Sequence, residues 1–138
     1  MWHGTFETST DVEAVKLFDA LADINNWKTW DDGLEYTTIA VSPQAGADFV
    51  LKPKGGPKTR MSIERFSRPA IFSDVAHLPL GKMRTTHEFS TVGGRTIIRL
   101  TVDVWGVLGF LWRRVIAQKQ IETAPQQTEA FIAYTRTR

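Results

Sequence analysis

Residues 82–105, KMRTTHEFSTVGGRTIIRLTVDVW, decide the fold. Two β-prone runs flank Gly93-Gly94, and paired glycines accept the positive φ values that a two-residue hairpin loop demands. Closing the hairpin there puts Phe89 opposite Ile98, His87 opposite Leu100, Thr85 opposite Val102 and Met83 opposite Val104. Opposed residues of an antiparallel pair point to the same face, so these share one side. The intervening positions, among them Arg84, Glu88, Arg99 and Asp103, go to the other. One face is mainly apolar and the other charged, as in an antiparallel sheet covered on one side.

The preceding strands extend this reading. A three-residue loop at Pro79-Leu80-Gly81 places His77 opposite Met83, Val75 opposite Thr85 and Ser73 opposite His87. A turn at Ser67-Arg68-Pro69 then pairs Arg65, Ile63 and Met61 with Ile71, Ser73 and Val75. On these registers all of them join the inner face, while Glu64 and Asp74 go to the outer one. Strands are expected over residues 59–66, 70–78, 82–91 and 96–105, with shorter ones over 2–8, 34–40 and 47–52.

Helices bracket the strands. Thr10 followed by Glu13 has capping-box spacing, and Val12, Val15, Leu17, Phe18, Leu21 and Ile24 follow at helical steps. Trp27 to Trp30 fit a second short helix or turn. After Gly106, Leu108, Leu111, Val115, Ile121, Ala124, Thr128, Phe131 and Thr135 trace a long helical stripe. Pro125 lacks the N–H that would bond Ile121, so a bend is expected there; the alternative is two helices separated at 123–125.

Composition sets outer bounds. With 138 residues, 42% hydrophobic and 23% charged, the expectation is one folded domain over 1–138. The lack of cysteine excludes disulfides and thiolate chemistry and suits a reducing cytoplasm. The Met1-Trp2-His3-Gly4 start is not a signal sequence, and no apolar run reaches transmembrane length. The net charge is only +2. Its densest basic groups, Lys52, Lys54, Lys58 and Arg60, then Arg113 and Arg114, carry no nucleic-acid motif and read as solvated faces. Gly55-Gly56-Pro57-Lys58 is a turn, because a phosphate-binding loop needs a different motif between strand and helix.

The order strand, two helices, six-strand meander and long final helix resembles the START-like, helix-grip superfamily. Its polyketide cyclase/dehydrase and lipid-transport group, with relatives of the birch-pollen allergen, is the nearest likeness. Residues 12–23 look like the family's first helix and Asn26-Trp27-Lys28-Thr29-Trp30 like its second. Arg68-Pro69 resembles a loop between its middle strands. The Gly94-Arg95-Thr96 entry to a strand ending Val102-Asp103-Val104-Trp105-Gly106 completes the match. The resemblance implies an α+β helix-grip fold, order β-α-α-β-β-β-β-β-β-α, in which a curved antiparallel sheet wraps a long C-terminal helix. It also implies a small hydrophobic or aromatic ligand held between the two. Some members bind or transfer lipids and hormones; others cyclise or dehydrate aromatic polyketides. Fold alone does not choose between them.

Candidate site residues follow from the inner face. His77 and His87 are the polar candidates for ligand orientation or proton transfer, since an imidazole titrates near neutrality. They lie roughly 13 Å apart along the expected sheet. That spacing, with no third ligand, speaks against a metal site, and no cofactor is expected. Ser73 opposite His87 lacks an oxyanion arrangement or nucleophile motif, so covalent hydrolysis is set aside. Asp103 and Glu64 read as surface charges. Arg65 is the remaining polar inner-face candidate. Met61, Ile63, Val75, Met83, Thr85, Leu100 and Val102 either touch an apolar ligand or simply pack the core. Trp27, Trp30 and Tyr36 either form the pocket mouth or pin the small helix to the sheet. Leu108, Phe110, Leu111 and Trp112 beside Arg113 and Arg114 read as a buried stripe with an exposed basic edge.

Overall fold

The structure is a computed structural model, and residues 1–137 are described. Its elements are β1 (Trp2–Thr10), α1 (Ala14–Ala22), a 3₁₀ turn (Ile24–Thr29), β2 (Leu34–Thr38), β3 (Asp48–Pro53), β4 (Thr59–Ser67), β5 (Ile71–Leu78), β6 (Gly81–Val92) and β7 (Arg95–Trp105). A short helix α2 (Gly109–Trp112) runs through a π turn (Arg113–Ala117) into α3 (Gln118–Arg136). The strands form one antiparallel sheet in the order β1-β7-β6-β5-β4-β3-β2. No helix among the described residues is long and apolar enough to cross a membrane.

The β6–β7 hairpin has the register expected from Gly93-Gly94, with Phe89 opposite Ile98 and Met83 opposite Val104. β1 adds Trp2, Gly4, Phe6 and Thr8 to the same inner face, opposite Val104, Val102, Leu100 and Ile98. The outer face is charged, with Arg84 bonded to Glu64 and Arg99 to Glu7. Buried Leu17, Phe18 and Leu21 of α1 close the core at one end, where Phe18 meets the Phe66 and Phe72 rings edge-on.

Two registers differ from the sequence expectation. The β5–β6 connection is a two-residue loop, because Leu78 pairs with Gly81 and only Pro79 and Leu80 lie between. Leu80 takes φ +53 to close it. Gly81 is required by proximity rather than by the turn: a Cβ there would come within 2.7 Å of the Trp112 ring. The shorter loop moves β5 by one residue, which turns every side chain of that strand over. Ser73, Val75 and His77 therefore point outward, and Phe72, Asp74, Ala76 and Leu78 inward. The β4–β5 turn is also displaced, with Ser67 opposite Ile71. That shift sends Arg65 out and Phe66 in. A bulge between Ile63 and Arg65 then returns Ile63 and Met61 to the inner face.

The helical segments depart in three details. The capping box does not form: Thr10 Oγ1 accepts from Val12 N–H, and α1 starts only at Ala14, with no side-chain cap at Glu13. The final helix is not divided at Pro125, since α3 continues through it. Its irregularity lies earlier, in the π turn, which shifts the buried stripe. Ala117, at the end of that turn, and Ala124, Phe131 and Thr135 beyond it are buried, while Phe110, Leu111 and Val115 are exposed. The expected buried stripe over residues 108–112 is thus an exposed apolar corner. Trp112 is its anchored member, donating from Nε1 to Pro79 O.

Candidate functional site

Between the inner face and α3 lies a cavity of about 1410 Å³. Its sheet wall comes from Met61 on β4, Asp74, Ala76 and Leu78 on β5, Met83, Thr85, His87 and Phe89 on β6, and Ile98 and Leu100 on β7. The helix wall includes Gln120, Ala124, Gln127 and Phe131, which follow one another at steps of three and four. Trp27 and Trp30 form a third side. Trp27 is fixed by an Nε1–H bond to Leu21 O, 2.8 Å, and by its edge contact with Phe49. Trp30 packs against Phe131 with ring centroids 4.7 Å apart. Trp27 and Trp30 thus pack the small helix and wall one side of the cavity.

Of the residues expected at a ligand site, Trp27, Trp30, Met61, Met83, Thr85, His87 and Leu100 line the cavity. Ile63 and Val102 are on the inner face but sealed within the core. Tyr36 lies on β2 opposite Lys52, off the cavity wall. Arg65, Ser73, Val75 and His77 are on the far side of the sheet, for the register reasons above. Ser73 Oγ accepts from Arg65 N–H, 3.0 Å. His77 Nε2 is 2.8 Å from Ser62 Oγ, which donates to Asp48 Oδ1 at 2.7 Å. Burial, then the nearby Arg60 and Lys82 charges, pull the His77 pKa below its usual value. His77 and His87 thus sit on opposite faces and do not converge.

The main polar residue in the cavity is one that the sequence reading placed on the outer face. Asp74 lies opposite Thr85 on β6 and Ile63 on β4, and only 3% of it is exposed. Among the described residues its carboxyl has no hydrogen bond or ion pair. Burial pushes its pKa up to about 7. His87 is two residues beyond Thr85 on the same face, diagonal to Asp74 and about 7–8 Å away between Cα atoms. Burial pulls its pKa down to about 4, so the imidazole is neutral at neutral pH.

Three further polar atoms, on residues that line the cavity, are unsatisfied. His87 Nδ1, Trp30 Nε1 and Gln127 Nε2 are shut off from solvent with no hydrogen-bond partner among the described residues. Thr85 Oγ1 has one long contact, from Gln120 Nε2 at 3.4 Å. Buried polar groups are ordinarily bonded, so these atoms are exceptions within the fold. At the rim Asp31 accepts from Gly33 N–H, 3.0 Å, and burial raises its pKa. The described residues contain no cluster of His, Cys, Asp and Glu able to hold a metal.

Sequence reading missed Asp74, Gln120 and Gln127 for different reasons. A two-residue Pro-Leu loop would have turned Asp74 inward. The glutamines share the helical spacing of Ala124 and Phe131, but a search for apolar periodicity passes over polar residues.

No protein-family model matches the chain, and no curated protein matches it in sequence. Solved structures do match in shape. Ara h 8.0201 superimposes with a TM-score of 0.74 at 13% identity, over 99% of this chain and 100% of that one. A START superfamily protein from Mycobacterium smegmatis gives 0.67 at 12%, over 96% and 92%. Norcoclaurine synthase from Thalictrum flavum, solved with dopamine and hydroxybenzaldehyde, gives 0.69 at 13%, over 97% and 83%. At these identities the likeness is one of fold.

Proposed function

We propose that this chain, built on the helix-grip fold, is a binding protein for a small hydrophobic or aromatic molecule held between the sheet and α3. The observation that carries the reading is the large, mostly apolar cavity, lined by the Asp74 carboxyl that has no hydrogen bond or ion pair among the described residues. Apolar walls supply affinity through desolvation, and a few directional groups supply discrimination. Met61, Met83, Phe89 and Leu100 provide the first; Asp74, Thr85 and His87 provide the second. The aromatic ligands in the norcoclaurine synthase structure support an aromatic occupant for a cavity of this architecture. The absence of cysteine fits a reducing cytoplasm, where we place the protein.

Native mass spectrometry of the purified protein, followed by denaturing extraction from the same preparation, tests the reading. The expected result is a reproducible stoichiometric small molecule, or saturable binding of added aromatic probes to an empty protein. An empty protein that binds no aromatic or lipid-like probe refutes it.

One observation favours a second reading, a polyketide cyclase/dehydrase-like enzyme. A carboxyl with a pKa of about 7 inside an apolar enclosure can donate and accept protons near neutrality. Neutral His87 nearby can hold the oxygen of an enolisable substrate. Turnover that is lost in Asp74→Asn, while substrate binding persists, would favour this reading over simple carriage.

A further inference from the structure

The cavity is charged opposite to the chain around it. The chain carries a net +2. Among the described lining residues, however, the ionisable groups are the carboxyls of Asp31, Asp32, Asp74 and Glu122 against the ammonium of Lys119, with His87 neutral. Asp31, Asp32, Glu122 and Lys119 sit at the more exposed positions. Asp74 is the deep one, and its carboxyl makes no hydrogen bond or ion pair among the described residues. Placing an unpaired carboxyl in an apolar wall costs free energy, and no contact within the fold recovers it.

Three neighbouring groups can each accept a hydrogen bond. Asp74 offers two carboxylate oxygens, Thr85 a hydroxyl oxygen, and neutral His87 one acceptor nitrogen. An ammonium group has three donors and no acceptor, so it matches this set. A ligand carboxylate would place like charges together in a water-poor space, and a neutral alcohol would leave the Asp74 charge unpaired. Trp30 and Phe131 stand ready for the ring.

We propose that the cavity selects an aromatic molecule bearing a protonated amine, with the ammonium seated on Asp74 and the ring against Trp30 and Phe131. This rests on the binding reading above and names the ligand class for the same site. Asp74 is then the residue that sets specificity, and shape alone does not.

Calorimetric titration with naphthylethylamine, naphthylethanol and naphthylacetate, which share one aromatic body, tests it. At about pH 8 Asp74 is mostly ionised and an alkylammonium still protonated. The amine should bind about 10- to 100-fold more tightly than the alcohol, the range expected for a hydrogen bond to a charged group, and the carboxylate weakest. Asp74→Asn should remove the preference and keep alcohol binding, which also reports that the variant is folded. At about pH 7 amine binding should release about half a proton, seen as a buffer-dependent enthalpy, and alcohol binding none. Alcohol or carboxylate binding as tightly as the amine, or a preference that survives in Asp74→Asn, overturns the amine inference while leaving a binding cavity. Failure of all three probes to bind overturns the amine inference, and failure of lipid-like probes as well overturns the binding reading with it.

Discussion

Replacing Asp74 with asparagine should uncover a pH dependence of stability that the wild-type chain conceals. Burial holds the Asp74 carboxyl at about 7 against 3.8 for the free side chain. As pH rises from 3.8, the unfolded chain gives up this proton and the folded chain keeps it. The folded state therefore loses stability up to about pH 7, by about 4 kcal/mol at about 1.4 kcal/mol per tenfold change. His87 acts in the opposite sense, with its pKa held at about 4 against 6.5. As pH falls from 6.5, the unfolded chain binds a proton that the buried imidazole refuses, and stability drops by about 3 kcal/mol by pH 4. Between pH 4 and 6.5 the two slopes oppose and nearly cancel. Asp74→Asn removes one of them, so the variant should lose about 3 kcal/mol relative to wild type on going from pH 6.5 to 4. His87→Gln should show the mirror image, losing a similar amount as pH rises across that window.

Other carboxyls contribute slopes of their own. Arg136 holds Asp11, Arg68 holds Asp19, and Ser62 followed by Arg60 holds Asp48 below the usual carboxylate range. Those groups are common to all three proteins, so the difference between each variant and wild type isolates the buried pair. Urea unfolding followed by tryptophan fluorescence reads it directly. With a slope of about 1–3 kcal/mol per molar, a change of about 3 kcal/mol moves the midpoint by about 1 M or more. An Asp74→Asn curve parallel to wild type between pH 4 and 6.5 would refute the reasoning, because Asp74 would then titrate as a solvated side chain.

Three further outcomes separate the cavity from the core and the turn. Met83→Trp, on the cavity wall, should abolish naphthylethanol binding with little change in melting temperature. Val102→Trp, at a fully buried position off the cavity, should lose about 1–3 kcal/mol or more from overpacking, read in the same urea experiment. Leu80→Asn relieves a branched apolar side chain held at φ +53 and should stabilise the fold by up to about 1 kcal/mol, seen as a higher melting temperature.

Much of the architecture was legible in residue order because its determinants are local. Gly93-Gly94 admits few backbone geometries, and the alternation of Phe89, His87, Thr85 and Met83 with charged or small residues sets which side they face. The cavity wall on β6 and β7 could be read for the same reason. β5 could not, because its facing depended on whether Gly81 belonged to the turn or to the strand. Local propensity leaves that choice open. It is settled by the approach of Trp112 to Gly81 and by the Leu108 N–H bond to Leu80 O, both from a segment far along the chain.

The sequence by itself therefore determined an α+β meander with one covered face, a closing C-terminal helix, and an apolar space containing His87. Only the tertiary structure decided that Asp74 faces into that space while Ser73 and His77 face away. It also decided that α3 passes through Pro125 undivided and that the π turn moves the helix's buried stripe. Side chains alternate with a period of two in strands, so one residue of turn length exchanges the faces of a whole strand. Loops differing by one residue are close in local energy. The contacts that separate them form only when distant segments pack.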